Sequence, residues 1–72
     1  MAKRRIANRI RTLRFLAGEM TQAELGERIG VTRQTIAAIE QGKYSPTLEA
    51  AFGIAEAFGK PLEEVFQWEE RS

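Results

Sequence analysis

The chain has 72 residues, with 11 lysines and arginines against 10 acidic residues, and neither histidine nor cysteine. That length makes one small domain of marginal stability, and the missing residue types exclude a disulfide framework and a zinc or thiolate site, in keeping with a reducing compartment. No apolar run approaches the roughly 20 residues of a membrane span, and the basic start leads into further charge rather than a secretory core, so the expected location is the cytoplasm.

The net charge of +1 hides an uneven distribution. Residues 1–20 hold six basic side chains against Glu19, residues 21–48 are balanced, and residues 49–72 hold six glutamates against Lys60 and Arg71. Such a chain is suited to meet phosphates with its basic end while its acidic end stays in solvent or meets a partner. On charge alone, simple solubilisation of helix faces is an equal alternative.

Taken in chain order, residues 1–5 read as a basic tail, residues 6–68 as one domain and residues 69–72 as a second tail. Gly18, Gly30, Gly42 and Gly59 each close a segment of helical periodicity. A first helix is predicted from Ile6 to Ala17, with Ile6, Ile10, Leu13 and Ala17 on one face. Thr21 caps a second, where Glu24 completes a capping-box pattern and Leu25 and Ile29 form the apolar stripe. Thr32 caps a third that runs to Gln41 with Ile36 and Ile39 inward; it is too short to stand alone, since isolated helices below about 12 residues are marginal. Lys43 to Pro46 form a turn. Thr47 caps a fourth helix, which places Leu48, Ala51, Phe52, Ala55 and Phe58 toward the core, with Gly53 marking a close approach or nothing. Pro61 opens a fifth, with Leu62, Val65 and Phe66 buried. Nothing reads as a strand, so the fold class is all-α: five short helices around one core.

The segment Gln22-Ala-Glu-Leu-Gly-Glu-Arg-Ile-Gly-Val-Thr-Arg-Gln-Thr-Ile-Ala-Ala-Ile-Glu-Gln41 resembles the helix-turn-helix of the phage-repressor, Cro and Xre family, a lambda-repressor-like DNA-binding domain. Gly26 stands where the two helices cross, Gly30 is the turn glycine, and Leu25, Ile29, Val31, Ile36 and Ile39 are the apolar positions that lock the pair. The likeness spans about residues 8–68. It implies that Thr32, Arg33, Gln34, Thr35, Ala37 and Ala38 meet base edges in the major groove, where arginine suits guanine, glutamine suits adenine, and methyl groups suit thymine. It assigns Arg14, Gln22, Lys43, Tyr44 and Ser45 to the DNA backbone, and joins Arg14 to Glu40 in an orienting salt bridge.

The chain departs from that pattern in three places. Phe15 to Met20 is one residue longer than usual, Ala37 and Ala38 replace polar readers, and Ala2 to Arg5 forms either an arm on DNA or, preferably, a solubilising tail. A helix of about 13 Å reads only a few base pairs, so a homodimer on a two-fold operator is expected. Its candidate contacts are Val65, Phe66 and Trp68, with Phe15 and Tyr44 weaker; Trp68 alternatively lids the monomer's core.

The expected function is therefore sequence-specific binding of double-stranded DNA and transcriptional regulation, with repression the favoured outcome. An enzyme is not expected: the only serines are Ser45 and Ser72, and the adjacent pairs Glu63–Glu64 and Glu69–Glu70 diverge by about 100° on a helix. No cofactor, metal or small-molecule effector is indicated. The serious rival is a protein-interaction module or antitoxin-type partner on the same fold.

Overall fold

The computed structural model describes the backbone of residues 3–71 and the side chains of residues 5–69. In chain order the elements are β1 (Lys3–Asn8), α1 (Ile10–Leu16), α2 (Gln22–Ile29), α3 (Arg33–Glu40), α4 (Leu48–Phe58), α5 (Leu62–Val65) and β2 (Phe66–Arg71). Five helices are present, but the all-α expectation is corrected: β1 and β2 form an antiparallel two-stranded sheet with Ile6 opposite Trp68, Arg5 opposite Glu69 and Asn8 opposite Phe66. Of the two expected tails, residues 3–5 and 69–71 are therefore strand; Met1, Ala2 and Ser72 lie outside the described residues.

The first helix starts at Ile10 rather than Ile6 because Asn8 interrupts it. The Asn8 side-chain oxygen accepts from the Ile10 amide at 3.2 Å, and its amide nitrogen donates to the Ile39 carbonyl at 2.9 Å. The Arg9 amide donates to the Val65 carbonyl at 2.9 Å, fixing the start of α1 to the end of α5. These bonds satisfy helix-end groups that would otherwise lack partners. Ile6 is thereby left on the sheet, 44 % exposed, and Ala17 becomes the exposed C-cap.

The three threonine caps form as the sequence suggests. Thr21, Thr32 and Thr47 accept from the amides of Glu24, Thr35 and Ala50 at 3.0–3.1 Å, and the Glu24 carboxylate accepts in turn from the Thr21 amide at 2.8 Å. Between α1 and α2 the chain turns through two successive left-handed residues, Gly18 at φ 84° and Glu19 at φ 59°.

Ile10, Leu13, Met20, Leu25, Ile36, Ile39, Ile54, Ala55 and Val65 form the buried core. Two expected members are absent: Leu48 and Phe52 face outward, while Ile54, on the opposite side of α4, is fully buried. Phase explains the exchange, since Ala51, Ile54, Ala55 and Phe58 share one face of a 3.6-residue repeat and Leu48 and Phe52 share the next.

Gly26 sets the distance between α2 and the turn that follows it. A Cβ there would lie 2.6 Å from the Val31 carbonyl oxygen and 3.2 Å from Thr32 backbone atoms, groups with no freedom to move aside. A Cβ on Gly53 would meet only the Ile29 side chain, at 3.3 Å. Gly26→Ala is thus expected to lose about 1–3 kcal/mol in chemical denaturation through overpacking. Gly53→Ala should be close to neutral, because a gain of about 1 kcal/mol in helix propensity offsets a contact that can yield. Equal losses in the two variants would contradict this account.

The backbone and side-chain hydrogen bonds of Thr21 hold the Glu24 carboxyl below its ordinary pKa. A carboxyl lowered in the folded state stabilises it above the unfolded pKa and loses that contribution as pH falls through the folded value. Thermal midpoints recorded through the acid range should fall more steeply for the natural chain than for Glu24→Gln.

Candidate nucleic-acid interface

The outward side of α3 is set by its inward one. Ile36 and Ile39 are buried, which turns Gln34, Ala37 and Ala38 toward the opposite side of the helix and leaves Arg33, three residues before Ile36, on its flank. Arg33 and Gln34 are exposed, and Ala37 and Ala38 are half-buried. Thr32 and Thr35 are differently employed: the Thr32 hydroxyl caps the helix and shares a 2.9 Å hydrogen bond with the Thr35 hydroxyl. Among the six residues expected at the bases, the two threonines are thus tied to each other with one hydroxyl proton of the pair left over, and Arg33 and Gln34 carry most of the donors on offer.

The Arg14–Glu40 pair forms. Arg14 Nε donates to Glu40 Oε2 at 2.7 Å and Nη2 to Oε1 at 3.1 Å, while Nη1 donates to the Met20 carbonyl at 2.8 Å. The guanidinium carries five N–H groups, so two remain for an outside acceptor. Both side chains are largely buried, at 15 % and 9 % exposure, and the bidentate geometry makes the pair a rigid strut between the end of α1 and the end of α3. Gln22 joins the same network by donating to Glu40 Oε1 at 3.2 Å, so its amide group is positioned by Glu40 at the first residue of α2.

Two adjoining clefts surround this strut. One of about 530 Å³ is lined by Arg11, Arg14, Phe15, Gln22 and Arg33 among others. The second, of about 350 Å³, is lined by Arg11, Arg14, Gln22, Ala37, Glu40 and Gln41. Arg33 and Ala37 of α3 therefore share one surface with Arg11 and Arg14 of α1. Arg11 and Gln41 belong to it although the sequence reading passed over them. Arg11 precedes Arg14 by three residues, the spacing that puts two side chains on one helix face, and that was the available signal. Lys43, Tyr44 and Ser45 are exposed in the loop after α3.

Of the three C-terminal candidates, Phe66 and Trp68 line a common cleft with Ile6 and Gln67, and Val65 is not part of it. Val65 is fully buried within the chain, which removes it as a contact with a second copy. Phe66 is half-buried, and Trp68 is 61 % exposed opposite Ile6 on the sheet. Among the described residues there is no metal-binding cluster of acidic residues, and no helix is long and apolar enough to cross a membrane.

Replacing one partner of the strut strands the other. Glu40→Gln is expected to lower stability by about 1.5–3 kcal/mol, the usual loss for a hydrogen bond to a charged group. The Arg5–Glu69 pair, half exposed on both sides, should contribute no more than about 0.5 kcal/mol, so Arg5→Ala serves as the comparison in the same unfolding titration.

Residues 10–65 match a protein family described as helix-turn-helix. The chain is 48 % identical over 65 residues to the uncharacterized HTH-type transcriptional regulator YgzD of Bacillus subtilis, covering 90 % of this chain and 97 % of that one. It is 51 % identical over 51 residues to an uncharacterized HTH-type transcriptional regulator of Methanocaldococcus jannaschii, covering 71 % and 77 % of the two chains. Another of that description, from Methanothermobacter thermautotrophicus, is 56 % identical over 48 residues, covering 65 % and 70 %. The chain belongs to the helix-turn-helix family, of the Cro/Xre type.

Proposed function

We propose that this helix-turn-helix protein binds double-stranded DNA in a sequence-specific way and regulates transcription, acting in the cytoplasm as a homodimer that represses by covering a two-fold operator. The observation that carries the reading is the shared surface: Arg33 of α3 lines the same cleft as Arg11, Arg14 and Gln22. The names of its relatives as transcriptional regulators support the regulatory role.

In this reading α3 lies in the major groove. Arg33 donates in a bidentate manner to a guanine edge, Gln34 exchanges two hydrogen bonds with adenine, and the methyl groups of Ala37 and Ala38 meet thymine methyls. Thr32 and Thr35 act mainly by fixing the first turn of α3, since their hydroxyls are paired with each other. Arg11, the two spare N–H groups of Arg14, Gln22, Lys43, Tyr44 and Ser45 meet the phosphates, which fixes register and supplies affinity rather than sequence choice. With two strong readers per copy, specificity leans on the spacing of two half-sites and on DNA shape. Bound across a promoter, such a dimer blocks the polymerase by occupancy alone.

A random-oligonucleotide selection followed by titration at several salt concentrations tests this. The enriched site should show a dyad, and affinity should fall linearly in log–log form with salt as counterions are released. Arg33→Ala and Gln34→Ala should each lose about 1–3 kcal/mol at one base position. Arg11→Ala should weaken binding to all duplexes alike and reduce the salt slope by about one. If no duplex is enriched and binding is indifferent to Arg33 and Gln34, the rival role as a protein-interaction module takes precedence.

A further inference from the structure

Among the described residues Glu19 alone holds a side chain in the left-handed region, at φ 59°. Glycine adopts that conformation freely, whereas a Cβ makes it costly, so a side chain kept there needs a reason. The backbone supplies none. The Glu19 amide donates to the Phe15 carbonyl at 3.0 Å and the Met20 amide to the Arg14 carbonyl at 2.9 Å, bonds that a glycine at position 19 would make equally well. Nor does the fold use the side chain: it is exposed, and among the described residues its carboxylate has neither a hydrogen-bond nor a salt-bridge partner.

Its surroundings set it apart. Glu19 lines the cleft of about 530 Å³ as the single acid beside Arg11, Arg14 and Arg33. The other acid close to these arginines, Glu40, is taken up by Arg14 and Gln22 in the strut. Glu19 holds no cation in this way, so its charge faces the open cleft.

We propose that Glu19 is a brake on phosphate binding: a carboxylate held at the cleft by a left-handed backbone, repelling the anions that Arg11, Arg14 and Arg33 attract. The inference rests on the DNA-binding reading and adds to it the residue that limits affinity. Phosphate contacts are alike on every duplex, so a brake on them weakens binding to all sequences equally. A duplex is then held firmly only where Arg33 and Gln34 also find their bases. Three arginines without the brake would hold any duplex they met, since phosphate contacts supply nearly all of non-specific binding. The backbone cost at position 19 keeps the charge where a glycine would remove it. Screening confines its reach to roughly 10 Å at 0.1 M salt, which covers phosphates seated in the cleft and little else.

Three variants separate this role from a structural one. Glu19→Gln keeps the side chain and removes its charge, and Glu19→Gly removes the charge and the backbone cost together. Glu56→Gln makes the same change in net charge at an exposed position of α4 that lines neither cleft. Against the selected duplex and a random one at low salt, both Glu19 variants should bind about three- to tenfold tighter than the natural chain, with Glu56→Gln nearly unchanged. The gain should shrink as added salt screens the charge. Glu19→Gly should also raise the thermal midpoint, while Glu19→Gln leaves it in place. Retention on immobilised heparin, a sulfated polyanion without bases, reads the cleft apart from base recognition; there Glu19→Gln should elute at higher salt than Glu56→Gln. Glu19→Gln that equals Glu56→Gln on duplex and heparin, or that binds duplex more weakly than the natural chain, overturns the brake. If no variant binds duplex but the heparin shift persists, the brake stands and the DNA reading alone falls.

Discussion

The backbone of Val31 and Thr32 rests directly on Gly26, with the Val31 amide donating to the Gly26 carbonyl at 2.8 Å and no room for a Cβ between them. This contact sets how α3 leaves α2. Gly30, left-handed at φ 80°, reverses the chain, and the Thr32 cap then starts α3 at once. The direction of α3 is thus determined within seven residues by backbone contacts, before any core side chain is considered. Ile36 and Ile39 then fix its rotation by entering the core, and the exposed face is whatever remains on the other side.

A strut holds the far end of the same helix. Arg14 engages the Met20 carbonyl and both oxygens of Glu40, so one guanidinium connects the end of α1, the α1–α2 loop and the end of α3. Asn8 adds a second tie by donating to the Ile39 carbonyl. Eight residues would not remain helical alone. Clamped at Gly26 and at Glu40, they hold one orientation.

The helix-turn-helix was legible because each of its devices is local: a cap three residues from its partner, a glycine at a turn, two isoleucines three apart. The strut was legible as a pair through the family resemblance, though not its third bond to Met20. The two strands were not. Ile6 and Phe66 fit helical periodicity as well as they fit a strand, and their pairing partners lie some 60 residues away, where no window of local pattern reaches. The one local clue was Asn8, whose side chain bonds the amide two residues on and so ends the strand and begins the helix. The phase of α4 failed for another reason. Nearly every position is apolar, so composition alone offers two faces of similar hydrophobicity, and the choice of Ile54 over Phe52 is made by packing.

The sheet also changes what the charge pattern means. Along the sequence the chain runs from basic to acidic, which suggests a molecule with a positive end for phosphates and a negative end away from them. Antiparallel pairing folds one end onto the other: Arg5 lies opposite Glu69 and bridges it at 2.8 Å, and Arg4 lies opposite Glu70. Arg5 and Glu69, 64 residues apart, are thus joined within one short ribbon, and the backbone from Lys3 onward is paired as a strand. Around the two clefts the cations are Arg11, Arg14 and Arg33, with Lys43 exposed in the loop after α3, and all of them lie outside the ribbon.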